Sequence, residues 1–133
     1  MAAVANFDVL VTLAAARRTV SDTTSANSSG ATIDLLDYIN PGRRQLKAVL
    51  DLGAVTSTGT LAVKIQESNT SAEAGFTDIS GATFTTITSA ATVGSSETIH
   101  FRTNQRYVRA LATLADTGNF DFGTYIVAEK RLL

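Results

Sequence analysis

The sequence predicts an all-β protein: a single-domain β-sandwich, jelly-roll-like, with eight or nine short antiparallel strands. Three observations lead to this prediction. Thr, which is β-branched and favours strands, occurs 20 times, while Ser and Gly, which favour turns, occur 11 and 9 times. Segments that alternate apolar and polar residues are separated at fairly even spacing by turn sequences. The length of 133 residues fits one domain over 1–133.

The N-terminal part contains three predicted strands and one long polar segment. Alternation predicts strands over residues 7–13, 32–39 and 45–55, with an Asn-Pro-Gly turn before the third. The second of these also fits helical spacing, and we prefer the strand. Between the first two lies VSDTTSANSSGA at 20–31, which is too polar to bury a core face. We expect this segment to be a flexible Ser/Thr-rich loop or arm.

The stretch LAVKIQESNTSAEAGFTDISGATFTTI, residues 61–87, has a regular period of two. Its first part alternates like a half-buried strand, a polar connection follows, and two short strands resume around a Ser-Gly turn. The stretch is therefore predicted to form a hairpin in a sheet. The side chains expected on its buried face are Leu61, Val63, Ile65, Phe76, Ile79 and Phe84.

Three further strands follow, over residues 97–102, 106–114 and 120–128. The last of them places two Phe residues and an Ile on one face, together with a Thr. The positions expected to face the core there are Phe120, Phe122, Thr124 and Ile126.

Composition excludes several classes of function. There is no cysteine, so disulfides and Cys-based zinc sites are excluded. The net charge is −1, which provides no global attraction for nucleic acid or an anionic membrane. Neither a signal peptide nor an apolar run long enough for a membrane span is recognisable. Charged residues make up 17% of the chain, a low fraction that suits contact with other proteins.

Asp116-Thr117-Gly118 is the triplet that most resembles a catalytic motif. Aspartic proteases use such a triplet twice, so that two carboxylates share one proton. A dimeric protease is disfavoured because Asn119 follows the triplet and only 15 residues follow Gly118. Calcium binding with Asp121 is also disfavoured, because the bidentate Glu of a calcium loop is missing. The preferred interpretation is a hairpin turn between two apolar strands.

The other candidates for chemistry are one histidine, predicted to be a surface residue, and a group of three arginines. His100, the single histidine, lies at an outward strand position. Arg102, Arg106 and Arg109 surround Tyr107, a mixture that would suit single-stranded nucleic acid. Arg106 and Arg109 fall on opposite faces of a strand, so they do not form one patch. We therefore predict no enzyme activity, no catalytic residue, no metal, no cofactor and no nucleic-acid partner.

Three short motifs in the C-terminal two-thirds of the chain resemble the layout of small head proteins of tailed phages. They are Gln66-Glu67-Ser68 at the end of a strand, FTDI at 76–79 after a polar loop, and RYVR at 106–109 in a late strand. In this outline the chain is similar to cement or decoration proteins, which bind the outside of the capsid. The resemblance implies a β-sandwich or jelly roll that has no catalytic residues.

The resemblance also implies a partner and a location. The partner is the major capsid protein, and a homo-oligomer, with a trimer favoured, would bridge its subunits on a virion assembled in the bacterial cytoplasm. Many weak contacts repeated around a symmetric shell add avidity. Residues 20–31 and a basic group after the Asn-Pro-Gly turn are the candidate contact regions. The candidate interface residues are Arg17, Arg18, Asp22, Thr24, Asn27, Arg43, Arg44 and Lys47.

The alternative function is a phage tail or receptor-binding module, or another carbohydrate-binding β-sandwich. FTDI after a polar loop also occurs in carbohydrate-binding modules. Such modules expose aromatic side chains that stack on sugar rings. This chain has no Trp, and most of its three Tyr and six Phe lie on apolar faces. The sequence therefore favours the capsid protein.

Overall fold

Two antiparallel β-sheets pack face to face, which confirms the predicted all-β sandwich. The structure is a computed structural model and describes residues 7–11, 18–22, 26–29, 32–36, 46–88, 94–116 and 118–129. The strands in these ranges are β1 (Phe7–Val11), β2 (Arg18–Asp22), β3 (Ala26–Ser29), β4 (Ile33–Asp34), β5 (Leu46–Ser57), β6 (Thr60–Ser68), β7 (Thr77–Thr83), β8 (Ser96–Phe101), β9 (Tyr107–Ala115) and β10 (Gly118–Glu129). A single turn of 3-10 helix spans Glu73–Gly75.

The chain passes repeatedly between the two sheets. Sheet A has the order β1-β10-β5-β8, and β2 pairs with the same strand, β10, as β1 does. Sheet B has the order β3-β9-β6-β7, and β4 pairs with β9. The links from β5 to β6 and from β9 to β10 therefore both cross from one sheet to the other. The described residues contain more strands than the eight or nine predicted, because the N-terminal strands are short pieces.

The inward faces of β5, β6, β9 and β10 form most of the core. Apolar residues alternate along these strands, and a strand turns alternate side chains to opposite faces, so one face of each is buried. The predicted inward positions of β10 are confirmed, since Phe120 and Phe122 have no exposed surface. The alternating apolar residues of β5 are also buried, namely Leu46, Ala48, Leu50 and Leu52, and so are the predicted inward residues of β6, Leu61, Val63 and Ile65.

The structure places two strands in the segment at 20–31 that the sequence predicts as a flexible loop or arm. β2 pairs with Gly118–Phe122 of β10, and β3 pairs with β9 from Leu111 to Leu114. Backbone hydrogen bonds of a ladder need no apolar side chain, and short polar strands are common at sheet edges. The polarity of the segment therefore does not predict its backbone conformation. Thr24 and the other residues between and after these strands lie outside the described residues.

The turn at Asp116 joins two different sheets. Asp116 is exposed, follows the end of β9 and has a positive φ of 63°. The predicted turn is confirmed, but the predicted hairpin is wrong, because β9 and β10 are not paired with each other. A local signal such as Asp-Thr-Gly-Asn indicates a change of direction and not the sheet to which the next strand belongs.

The predicted hairpin between β6 and β7 is confirmed. The Ser80-Gly81 pair, which the sequence predicts as a turn between two strands, instead lies inside β7. There the register with β6 shifts between Lys64 and Gln66, and Gly81 has a positive φ of 79°. The extra residues form a bulge, and glycine occupies the position that needs left-handed backbone.

Gly81→Ala is expected to lower the free energy of unfolding by about 1–2 kcal/mol, because a residue with a Cβ is disfavoured by that amount in the left-handed region. A Cβ at Gly81 would meet no atom within 4 Å, so the cost is one of backbone conformation. Gly123→Ala is the matched control, because its space is equally open and its φ is not in that region. Alanine in β10 should leave stability unchanged or raise it. Urea unfolding compares the two variants, and equal losses would contradict the prediction.

Candidate functional site

The outer face of sheet B carries a row of polar side chains across three strands. Gln66 of β6 is the register partner of Asp78 of β7 and of Arg109 of β9. Cross-strand partners in an antiparallel sheet share a face and contact each other. These three residues stand at outward positions, because their neighbours Ile65 and Ala110 are buried in the core.

Arg109 is the centre of this row and is buried, with 5% of its surface exposed. Its Nε donates a hydrogen bond of 2.9 Å to Oε1 of Gln66. Its Nη1 lies 2.5 Å from Oε2 of Glu73, and its Cζ stands 4.2 Å from the centre of the Phe76 ring. A buried guanidinium requires a carboxylate and further acceptors to offset its lost hydration, and these neighbours provide both.

The row continues from Gln66 to the edge of the sheet. Nε2 of Gln66 donates to Oδ1 of Asp78 at 2.8 Å, and Nζ of Lys64 donates to Oδ2 of Asp78 at 2.6 Å. The Lys64 hydrogen bond, and then that of Gln66, hold the pKa of Asp78 below its usual value despite partial desolvation. We call the connected set the polar clamp, and its members are Lys64, Gln66, Glu73, Phe76, Asp78 and Arg109.

The polar clamp fastens the connection between β6 and β7 onto the outer face of sheet B. This connection, residues 69–76, supplies both Glu73 and Phe76. Its close approach to β6 needs glycine at Gly75, because a Cβ there would lie 2.8 Å from Oγ of Ser68 and from Oγ1 of Thr70. Oγ of Ser68 already accepts the N–H of Thr70 at 3.0 Å, so the crowded hydroxyl is held in place. The connection is therefore a built part of the sandwich.

A second ion pair lies next to the polar clamp, where β4 meets β9. Nε and Nη2 of Arg106 donate to the two carboxylate oxygens of Asp34 at 2.9 and 2.7 Å. The side-chain hydrogen bond from Arg106 is the main cause that lowers the pKa of Asp34, and the N–H of Leu36 adds to it. The Arg106 guanidinium also lies over the ring of Tyr107, 5.1 Å from its centre.

Stability is expected to fall in acid because of Asp34 and Asp78. Both carboxyl groups have a pKa below the value of 3.8 that they have without these contacts. Their contribution to the free energy of unfolding is therefore complete at pH values above the unfolded-state pKa of 3.8. It is lost as the pH falls from 3.8 through the lower pKa values of the folded state. Urea unfolding at a series of pH values should show this decline, and the D34N/D78N variant should show a shallower one. Identical slopes would contradict the assignment.

The predicted interface residues do not belong to the polar clamp. Lys47 of β5 is exposed on sheet A, where its register partners are His100 and Val127. Arg18 and Asp22 lie in β2 opposite Phe122 and Gly118, and Asn27 lies in β3 opposite Thr113. The structure thus divides these residues between the two sheets. The remaining candidates lie outside the described residues, namely Arg17, Thr24, Arg43 and Arg44.

The sequence did not identify the polar clamp as a unit. Phe76 is predicted to anchor its loop on the core, but it lies half-buried on the outer face of sheet B under Arg109. Arg109 is predicted only to lie on the strand face opposite to Arg106, and it is buried. The three motifs quoted above supply most members of the clamp, so the grouping of their polar residues was the available signal.

His100 is exposed, as predicted. No group of three His, Cys, Asp or Glu side chains in the described ranges lies close enough together to hold a metal ion. Within the same ranges, no helix has the length and apolar character to cross a bilayer. No family model matches the chain, and no curated protein matches it.

Proposed function

We propose that the protein is a non-enzymatic structural component of a tailed-phage virion, a cement or decoration protein that binds the outside of the capsid. It bridges subunits of the major capsid protein and so stabilises the shell. It is made in the host bacterial cytoplasm and acts at the capsid surface, with a homotrimer as the favoured assembly. The observation that carries the proposal is that the three motifs of the resemblance meet in one place.

Gln66, the FTDI segment and Arg109 are far apart in the sequence and adjacent in the fold. Gln66 and Arg109 are 43 residues apart and share a hydrogen bond. Phe76 and Asp78, both from FTDI, contact Arg109 and Gln66 respectively. The motifs thus form one structural unit, whose effect is to hold a surface connection in a fixed shape. A fixed surface suits binding, because less conformational entropy is lost when the partner docks.

The strand order supports the jelly-roll part of the proposal. If β1–β2 and β3–β4 are each counted as one interrupted strand, eight strands remain, with the orders 1-8-3-6 and 2-7-4-5. This nested order is the one expected if two Greek keys are wound into a jelly roll, and it therefore supports that topology. Jelly rolls occur in viral capsid proteins and in lectins. The strand order therefore favours a virion protein or a sugar-binding module over most enzymes.

Two aromatic rings are each covered on one face, which favours the virion protein over the sugar-binding module. Sugar-binding modules use open aromatic faces. Arg109 lies over the ring of Phe76, and Arg106 lies over the ring of Tyr107. Each ring thus has one face occupied by a guanidinium group, a cation–π contact that stabilises the fold.

Co-sedimentation with phage heads tests the proposal. Heads are prepared from a phage that carries this sequence with its coding region deleted, and the purified protein is added before pelleting. We expect the protein to pellet with heads to a saturating stoichiometry and to raise the temperature at which the heads break. Failure to pellet at any concentration would overturn the proposed function.

Light scattering after gel filtration tests the assembly separately. A trimer would have a mass of about 42 kDa, three times the 14.0 kDa chain. A dimer at all concentrations would contradict the trimer and would direct attention back to Asp116.

A further inference from the structure

A polar cleft of about 250 Å³ opens beside the polar clamp. It lies where β6 ends and β7 begins, next to the chain that leads into β9. Its lining comes from the end of β6, the β6–β7 connection, the start of β7 and the segment before β9. The lining residues are Glu67, Ser68, Asn69, Thr70, Gly75, Thr77 and Gln105.

Glu67 supplies the one carboxylate of this lining, and no cation in the described residues neutralises it. Its Oε2 accepts a hydrogen bond from the hydroxyl of Thr103, a buried neutral side chain. Two cations of the same sheet are engaged elsewhere, since Lys64 pairs with Asp78 and Arg109 pairs with Glu73. Glu67 is half-buried, and a carboxylate removed from water favours a cationic partner.

Gln105 supplies a second acceptor without a donor. Its Oε1 is buried and accepts no hydrogen bond, while its backbone N–H donates to Oγ1 of Thr103 at 3.0 Å. A buried acceptor without a donor destabilises the fold, and a ligand with N–H groups would recover that cost. The terminal torsion of a Gln side chain is broad, so Oε1 can turn towards the cleft at low cost.

We infer that this cleft binds a primary ammonium group. An ammonium is a compact cation with three N–H donors and no acceptor. These donors match the carboxylate of Glu67, Oε1 of Gln105 and the hydroxyls of the lining. A calcium ion would need six to eight oxygen ligands, normally including several carboxylates, and the lining has one. A guanidinium carries five donors in a rigid plane and is best matched by a carboxylate with both oxygens open, whereas Oε2 of Glu67 is already bonded.

Two sources could supply the ammonium: a lysine side chain of the docked partner or a small free amine. The lysine source rests on the proposed function, because the capsid subunit would then present it. The ammonium chemistry itself does not depend on that proposal. Binding of small amines therefore tests the ammonium inference, and sedimentation with heads tests the proposed function. Either can be contradicted without the other.

Titration with small amines, followed by amide NMR shifts, tests the inference. Methylammonium and Nα-acetyl-lysine amide are expected to shift the amides of Gly75 and Thr77 with one saturating curve. Its counterpart acetylated at Nε, which is neutral, should cause no shift. Glu67→Gln should weaken methylammonium binding about tenfold or more. Asp51→Asn removes one exposed charge from sheet A and should leave binding unchanged.

Equal shifts from the neutral and the charged lysine compounds would overturn the inference, and so would unchanged binding in a folded Glu67→Gln variant. If that variant does not fold, the comparison of the neutral and the charged lysine compounds on the unchanged protein still tests the inference. Competition distinguishes the sources: methylammonium, but not tetramethylammonium, should release the protein from heads if the ligand is a lysine. If methylammonium binds and heads remain bound, a free amine is the ligand. If methylammonium binds and heads never bind, the inference stands and the proposed function is wrong.

Discussion

Phe122→Ala is expected to lower the free energy of unfolding by about 3–5 kcal/mol, the usual cost of removing a buried aromatic ring. Phe122 has no exposed surface, and its strand, β10, pairs with β5 on one side and with β1 and β2 on the other. A central strand held from both sides cannot easily move to fill the cavity. Urea unfolding followed by circular dichroism would measure the loss.

Phe76→Ala is the matched comparison, because the sequence predicts both Phe side chains to be buried. Phe76 lies half-buried on the outer face of sheet B, where its main contact is the guanidinium of Arg109. The expected loss is about 1 kcal/mol, which is typical of a cation–π contact with partial burial. Equal losses in the two variants would show that the ring of Phe76 contributes to the core after all.

The alternation of apolar and polar residues predicted the buried residues of the sandwich well, because it depends only on neighbouring positions in one strand. Leu50 and Val63 are inward for the same reason, namely that alternate positions of a strand share a face. No such local rule assigns a strand to a sheet. The Asp116 turn therefore predicted a change of direction correctly, while the sheet reached by β10 depends on contacts with β1, β2 and β5.

The polar clamp was harder to predict because its burial comes from a distant segment. At an outward strand position, an Arg normally has its charge in water. Arg109 is buried because the connection before β7 lies over it, and the sequence of β9 contains no trace of that cover. The sequence also failed to predict that β2 pairs with β10 and that β3 pairs with β9. The reason is related, because backbone hydrogen bonds can hold polar residues in a strand.

Glu73→Ala is expected to lower the free energy of unfolding by about 2–3 kcal/mol, although surface substitutions usually change it by under about 0.5 kcal/mol. The side chain of Glu73 is 77% exposed, and that of its partner Arg109 is 7% exposed. Removing the exposed carboxylate leaves a buried guanidinium without its counter-charge, and that uncompensated charge causes the loss. The loss is set below the roughly 3–5 kcal/mol of a fully buried pair because Glu73 is solvated.

A double-mutant cycle with Arg109→Met separates this effect from packing. Met retains apolar contact with Phe76 and carries no charge, so Glu73→Ala should then change stability by no more than an ordinary surface substitution. Asp51→Ala serves as the charge control, because Asp51 is exposed on sheet A. The same cycle predicts faster hydrogen exchange at Gly75, whose N–H bonds to the carbonyl of Ala72 at 3.0 Å, when Glu73 is lost alone. If Glu73→Ala costs nothing in the wild-type background, Gln66 and the Phe76 ring are sufficient partners for the guanidinium. The shape of the β6–β7 connection, and of the cleft beside it, would then depend on Gly75 and Ser68 and not on the ion pair.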